Sequence, residues 1–158
     1  MSNQPKQASS IAAGAGRQLN VLGHVVNIML GSAETQGDCY VFEVISPPGR
    51  FVPPHVHEHE DEYGYLVEGA WEVFLDGRIF QAQPGAVIHC PRHTAHGFRN
   101  IGTTPGKMIW VATPGANDER FFVELGALPA DAPPDMQKVM GIFTKYGVQA
   151  LPPPESWL

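Results

Sequence analysis

An all-β sandwich or barrel with two short helices appended at its C-terminal end is the fold this sequence predicts, and three observations predict it. Charge is scarce: Asp, Glu, Lys and Arg make up only 16% of the 158 residues, against about 25% in ordinary soluble domains. Glycine (17) and proline (15) are abundant while hydrophobic content is an ordinary 43%. Short runs of Val, Ile, Phe and Tyr recur at the roughly 8–12-residue spacing of sandwich and barrel strands. Helical bundles need charged wet faces and are excluded by this balance. The hydrophobic content also excludes a disordered chain.

The chain divides into an arm, residues 1–17, a β domain, residues 18–115, and a helical appendage with a Pro-rich tail, residues 116–158. The arm, MSNQPKQASSIAAGAGR, is small and polar and lacks the apolar core of a secretory signal. It reads as a flexible lead into a cytoplasmic protein. Val25–Leu30 and Cys39–Ile45 are the first β-type runs, separated by GSAETQGD, which has loop chemistry. Glu62–Val67 and Ala70–Leu75 flank a Glu68-Gly69 corner. Asp76-Gly77 then lies between two apolar runs, the strongest short hairpin signal. Ala86–His89, Ala95–Arg99 and Met108–Ala112 complete the series.

After Pro114 the period changes. Asn117 and Asp118 are candidate caps for a helix through Arg120 to Leu125, stopped by Gly126. A second helix starts near Pro134, with Met136, Val139, Met140, Ile142 and Phe143 at helical spacing and Tyr146-Gly147 as its end. The prolines of LPPPESWL keep the tail extended, where it is a candidate strap for a dimer.

The net charge is −6, and the ten basic residues form no run. A nucleic-acid footprint and a polybasic membrane anchor are therefore not expected, and no apolar stretch approaches the length of a membrane span. Cys39 and Cys90 are expected to be reduced thiols.

Six of seven histidines fall from His55 to His96, and the densest stretch reads Pro-Pro-His55-Val-His57-Glu58-His59-Glu60-Asp61-Glu62. Alternate residues of a strand share a face, so His55 and His57 can take two adjacent positions on one metal ion. Glu62, from the next strand, can add an anionic oxygen, and His96 can close the set from across a sheet. Three imidazoles and a carboxylate suit a divalent transition metal: Fe, Mn, Ni, Co, Cu or Zn.

Here the chain resembles the cupin superfamily. Its first motif has Gly, five residues, His-x-His, three or four residues, Glu, six residues, Gly, and this chain has Gly49, His55, His57, Glu62 and Gly69 at those intervals. Its second motif has Gly, five residues, Pro-x-Gly, two residues, His, three residues, Asn, matched by Gly85, Pro91, His96 and Asn100. His93 stands where the family has Gly. The resemblance implies a single jelly-roll barrel and a metal held by His55, His57, Glu62 and His96. It also sets the register against the alternative pair His57/His59, leaving His59 behind the ligands or facing solvent. Glu62 is implied to be both ligand and proton acceptor. His93 is a candidate acid/base at the site mouth or a cap on its loop, whereas His24 and His89 read as surface or satisfied core residues.

If Glu62 points into the barrel, so do Gly64 and Leu66, with Tyr63, Tyr65 and Val67 outward. Phe98 and Asn100 follow His96 inward. Phe51, Gly64, Leu66, Phe98, Met108 and Trp110 are the candidate pocket lining, suited to an apolar or aromatic small molecule. A phosphate would want convergent arginines, and Arg50, Arg78, Arg92 and Arg99 are scattered in sequence. Outward Tyr63, Tyr65 and Trp71 need cover, from the C-terminal helices or a second subunit, and the expectation is a homodimer. The favoured function is a metal-dependent dioxygenase similar to quercetinase-like cupins, cleaving a flavonol or another enolisable aromatic or ketone. The alternatives are an O₂-independent isomerase, cyclase or lyase, in which Glu62 or His93 shuttles a proton, and a non-catalytic small-molecule-binding module.

Overall fold

The computed structural model describes residues 6–158, and among these Arg17 begins the first regular element. Of the arm expected over residues 1–17, residues 1–5 lie outside the described residues, and residues 6–16 carry no strand or helix. Eleven strands follow: β1 (Arg17–Val21), β2 (His24–Leu30), β3 (Tyr40–Ser46), β4 (Phe51–His57), β5 (Asp61–Glu68), β6 (Trp71–Leu75), β7 (Arg78–Ala82), β8 (Val87–Cys90), β9 (His96–Asn100), β10 (Gly106–Thr113) and β11 (Val148–Ala150). The helices are α1 (Ser32–Thr35), α2 (Ala116–Gly126) and α3 (Met136–Lys145), and a 3₁₀ turn covers Glu155–Trp157.

Two antiparallel sheets form the jelly roll. One runs β1-β2-β3-β10-β5-β8, the other β11-β4-β9-β6-β7. Alternation explains the core. In β3, Tyr40, Phe42, Val44 and Ser46 are buried, and in β10, Gly106, Met108, Trp110 and Ala112 are. Trp110 lies opposite Phe42 on one side and Gly64 on the other. The hairpin at Asp76-Gly77 has positive φ at both residues, 49° and 78°, the two-residue turn whose twist matches its flanking strands.

Glu62, Gly64 and Leu66 do face inward on β5, while Tyr63 and Tyr65 are 41% and 47% exposed. Trp71 corrects the expectation of an outer aromatic. It is fully buried, because the Gly69 corner passes the chain from the first sheet to the second and the parity of β5 does not carry across. Its indole N–H donates to the Glu68 carbonyl at 2.8 Å. The absence of a side chain at Gly106 makes room for the ring, since a Cβ there would sit 2.4 Å from it.

The helices also differ in detail. Gly115, not Asn117 or Asp118, caps α2, so both polar side chains fall within its first turn. Asp135 caps α3 by accepting from the Gln137 and Lys138 N–H groups. The tail folds back on its own barrel. β11 pairs with β4, Val148 opposite His57 and Ala150 opposite His55. Trp157 is 3% exposed, packs on Phe51 at 5.8 Å between ring centroids and donates its indole N–H to Glu72. The Ser156 carbonyl accepts from Arg99 at 2.6 Å.

Candidate metal centre

Strand geometry assembles the four predicted ligands. His55 and His57 are two residues apart on β4, His55 pairs directly with His96 of β9, and Glu62 projects inward from β5. Their ligating atoms lie within 4.8 Å of one another, a group that could hold a metal ion. Glu62 Oε2 is 2.7 Å from His96 Nε2 and 3.4 Å from His57 Nε2.

The chemistry of the donor set fits a metal. His55 Nδ1 lies 2.9 Å from the Pro53 carbonyl and His96 Nδ1 3.1 Å from the Thr94 carbonyl. His57 Nδ1 lies 3.3 Å from Glu60 Oε2. Each imidazole therefore has an acceptor at Nδ1, the arrangement that fixes a ring and leaves Nε2 free as a ligand. Two loops are tied together at the site. Arg92 grips Asp61 through its backbone N–H at 2.8 Å and through Nε and Nη2 at 3.0 Å, which holds the Asp61 carboxyl down to about 2. The His93 N–H donates to the His57 carbonyl at 2.8 Å.

The imidazoles differ in protonation. Burial pushes His55 down to about 3, aided by the neighbouring His96 and His57. Burial also opposes charge on His57, but the Glu62 carboxylate, with Glu60 and Asp118, overrides it and raises His57 to about 9. Glu62 shows the converse: burial works against its charge, and His57 and His96 hold it down to about 2. At neutral pH the free site is thus an imidazolium–carboxylate pair beside a neutral His55. The His57 contribution to stability is fully present below its unfolded value of 6.5 and is lost as pH rises through about 9. A metal must displace that proton. Affinity is expected to rise by up to tenfold per pH unit between pH 6.5 and about 9 and then level off, as read by competition with a chelator. A flat profile from pH 6.5 upward would contradict the His57–Glu62 pair.

The remaining predicted site residues are distributed as follows. Phe51, Phe98 and Trp110 line a cavity of about 180 Å³ with the ligands His55, His57, Glu62 and His96 in its wall. Gly64 faces inward, but the Trp110 ring fills the space it leaves, 2.8–3.0 Å from where a Cβ would be. Leu66 and Met108 are fully buried and are not among the cavity-lining residues. The larger part of the wall comes from elements sequence reasoning did not assign to the pocket, including Phe121 and Phe122 of α2 and Val139 and Phe143 of α3. Among the described residues none lining the cavity is Lys or Arg, which suits an uncharged ligand.

His93 is exposed, outside the cavity wall, with φ 67°. What it supplies to the site is a backbone N–H, in a conformation that costs a side chain about 1–2 kcal/mol. His93→Gly is expected to raise stability by about 1 kcal/mol, or roughly 2–4 °C in Tm; a drop in Tm would show that the imidazole makes a stabilising contact. His59 is exposed and His89 stacks on Tyr63 at 4.9 Å. His24 is a satisfied core residue, 2.8 Å from Ser46 Oγ and pushed down to about 4, chiefly by burial. Both cysteines are free.

Two buried acids were missed. Glu60, one of the acids in the dense histidine stretch, is 1% exposed, and Asp118, read as a cap, is also 1% exposed. Asp118 Oδ1 stands 3.7 Å from His57 Nδ1. Burial, with the Glu62 charge adding to it, pushes the Asp118 carboxyl well up. Nothing local distinguishes such acids from exposed ones; their burial depends on where α2 docks.

Residues 36–112 match the family model described as Cupin domain. Quercetin 2,3-dioxygenase of Bacillus subtilis (strain 168) is 31% identical over 116 residues, covering 73% of this chain and 34% of that protein. Polyketide synthase CurC of Streptomyces cyaneus is 33% identical over 89 residues, 56% of this chain and 55% of that protein. The chain therefore spans about one-third to about half the length of these two relatives. The solved structure of KdgF from Halomonas sp. superposes with a TM-score of 0.64 at 27% identity, covering 72% of this chain and 99% of that one.

Proposed function

Because this chain belongs to the cupin superfamily through residues 36–112, we propose that it is a metal-dependent dioxygenase acting on an enolisable aromatic or ketone, flavonol-like in its planarity and lack of charge. The observation that carries the reading is a three-histidine, one-carboxylate donor set in the wall of an apolar cavity. The similarity to quercetin 2,3-dioxygenase supports it. His55, His57 and His96 would hold the ion through Nε2, and Glu62 through its carboxylate. Bound there, a divalent transition metal supplies Lewis acidity toward the substrate's enolate oxygens and a place for O₂.

The protein's own residues do the rest. Glu62 Oε2 accepts the proton of the substrate hydroxyl, its basicity set by how far the imidazoles balance its charge. Phe98 and Trp110, parallel within 23° at 5.9 Å, offer flat walls to an aromatic ring. Phe121, Val139 and Phe143 exclude water from the reacting face. The reaction is oxidative carbon–carbon cleavage, with both atoms of one O₂ entering the product. An oxygen electrode tests it on metal-loaded protein with flavonols and 1,3-diketones. Uptake of one O₂ per substrate consumed supports the reading, and turnover that continues anaerobically sinks it.

A second reading keeps the metal without O₂: an isomerase, cyclase or lyase in which Glu62 shuttles a proton, and the similarity to a protein named as a polyketide synthase is its ground. Anaerobic turnover separates the two. The reading further includes cytoplasmic location and a homodimer formed over the outer face that bears Tyr63, Tyr65 and Val87, all exposed. Light scattering at the 17.2 kDa monomer mass would remove the dimer.

A further inference from the structure

Beside His57, α2 brings polar side chains as well as the cavity-lining Phe121. Asn117 Nδ2 donates to Glu60 Oε1 at 2.7 Å and to the Tyr146 carbonyl at 3.0 Å. Glu60 turns its other oxygen, Oε2, to His57 Nδ1 at 3.3 Å. The next residue, Asp118, brings Oδ1 to 3.7 Å from the same nitrogen. One turn later Phe121 meets the His57 ring edge-on at 6.3 Å. Three residues of a helix outside the matched family region thus gather around one ligand, Asn117 through Glu60 and Asp118 and Phe121 directly.

Asp118 is the unusual member. It is 1% exposed, and among the described residues neither carboxylate oxygen has a hydrogen-bond partner. A buried acceptor left without a donor costs about 1–3 kcal/mol, more when charged. The Nδ1 of His57 stands 3.7 Å from its Oδ1, and an N–H there gains positive character when a cation occupies Nε2. Carboxylates behind metal-bound histidines fix the ring and raise its basicity, and their loss typically costs 10–100-fold in affinity.

We propose that Asp118, with Asn117 acting through Glu60, is a positioning residue for the metal ligand His57, so that the helical appendage forms part of the metal centre and not only the cavity wall. This rests on the metal reading above. It has a consequence of opposite sign in the two states. Asp118 is an expense to the metal-free fold and a gain to the loaded one.

The experiment uses the full chain and Co(II), comparing wild type with Asp118→Asn, which keeps the volume and removes the acidic group, and with Asn117→Ala, which frees Glu60. Three quantities are read: metal-free Tm, Co(II) affinity by chelator competition, and the visible Co(II) ligand-field spectrum. Asp118→Asn is expected to leave metal-free Tm unchanged or higher, to weaken Co(II) about 10–100-fold and to shift the ligand-field bands. Asn117→Ala is expected to weaken Co(II) in the same direction, which keeps the test open should Asp118→Asn fold poorly. Wild-type affinity and spectrum in both variants overturn the inference while leaving the metal reading intact. A fall in metal-free Tm with unchanged Co(II) bands also overturns it, assigning Asp118 a structural role. A second Co(II) equivalent in wild type that Asp118→Asn removes overturns it too, since the acids would then hold an ion of their own. Wild-type protein that binds no Co(II) overturns the metal reading and this inference together.

Discussion

His96→Ala is expected to abolish stoichiometric metal binding while the barrel remains folded. His96 is the ligand that joins the two sheets at the site, paired with His55 across β4 and β9 and 2.7 Å from Glu62 of β5. Loss of a partner behind a ligand costs about 10–100-fold. Removing a ligand itself, along with one of the nitrogens that make the site selective for transition metals, costs more. The strand has other reasons to stay in place. Phe98 and Asn100 of β9 are buried, and the Asn100 side chain donates to the Ser46 and Thr104 carbonyls at 2.9 Å each. Elemental analysis after dialysis is expected to find about one metal per wild-type chain and almost none per variant chain, with matching circular dichroism. Stoichiometric metal in the variant would mean that the ion sits elsewhere.

Trp157→Ala is expected to be strongly destabilising. The residue lies one position from the end of the sequence, yet it is 3% exposed. It packs on Phe51 and gives its indole N–H to Glu72, which ties the tail to β4 and β6. Truncating a buried Trp to Ala costs about 3–5 kcal/mol, or roughly 6–20 °C in Tm at this chain length. The effect reaches the site. Phe51 lines the cavity, and β11, which precedes the tail, pairs with the β4 residues that carry His55 and His57. Ligand affinity is expected to fall with stability. A loss below about 1 kcal/mol would show that the tail contributes little, as an exposed chain end would.

These two sites differ in how much of them can be read from sequence. His55, His57, Glu62 and His96 are legible because a strand's period of two and fixed intervals to neighbouring glycines dictate which faces they share. The inward set of Gly64 and Leu66 follows from the same parity. Parity fails at Trp71, where a corner moves the chain to the other sheet, and at the pocket, where the ring of Trp110 takes the room that Gly64 leaves. Trp157 and β11 are hidden for another reason. Their burial comes from docking against strands a hundred residues earlier, and a three-residue strand followed by prolines has no local signature. Glu60 and Asp118 are the hardest case. Beside each in sequence stand other acids, and only the placement of α2 beside His57 turns these two inward.

Everything proposed for this site depends on a metal held by three imidazole Nε2 atoms and the Glu62 carboxylate. Anomalous diffraction from crystals grown with Co(II) tests it most directly. One strong peak is expected about 2.0–2.2 Å from the Nε2 atoms of His55, His57 and His96 and from a Glu62 oxygen. A peak held instead at His57 Nδ1 by Glu60 and Asp118, or no peak within reach of His96, would contradict it.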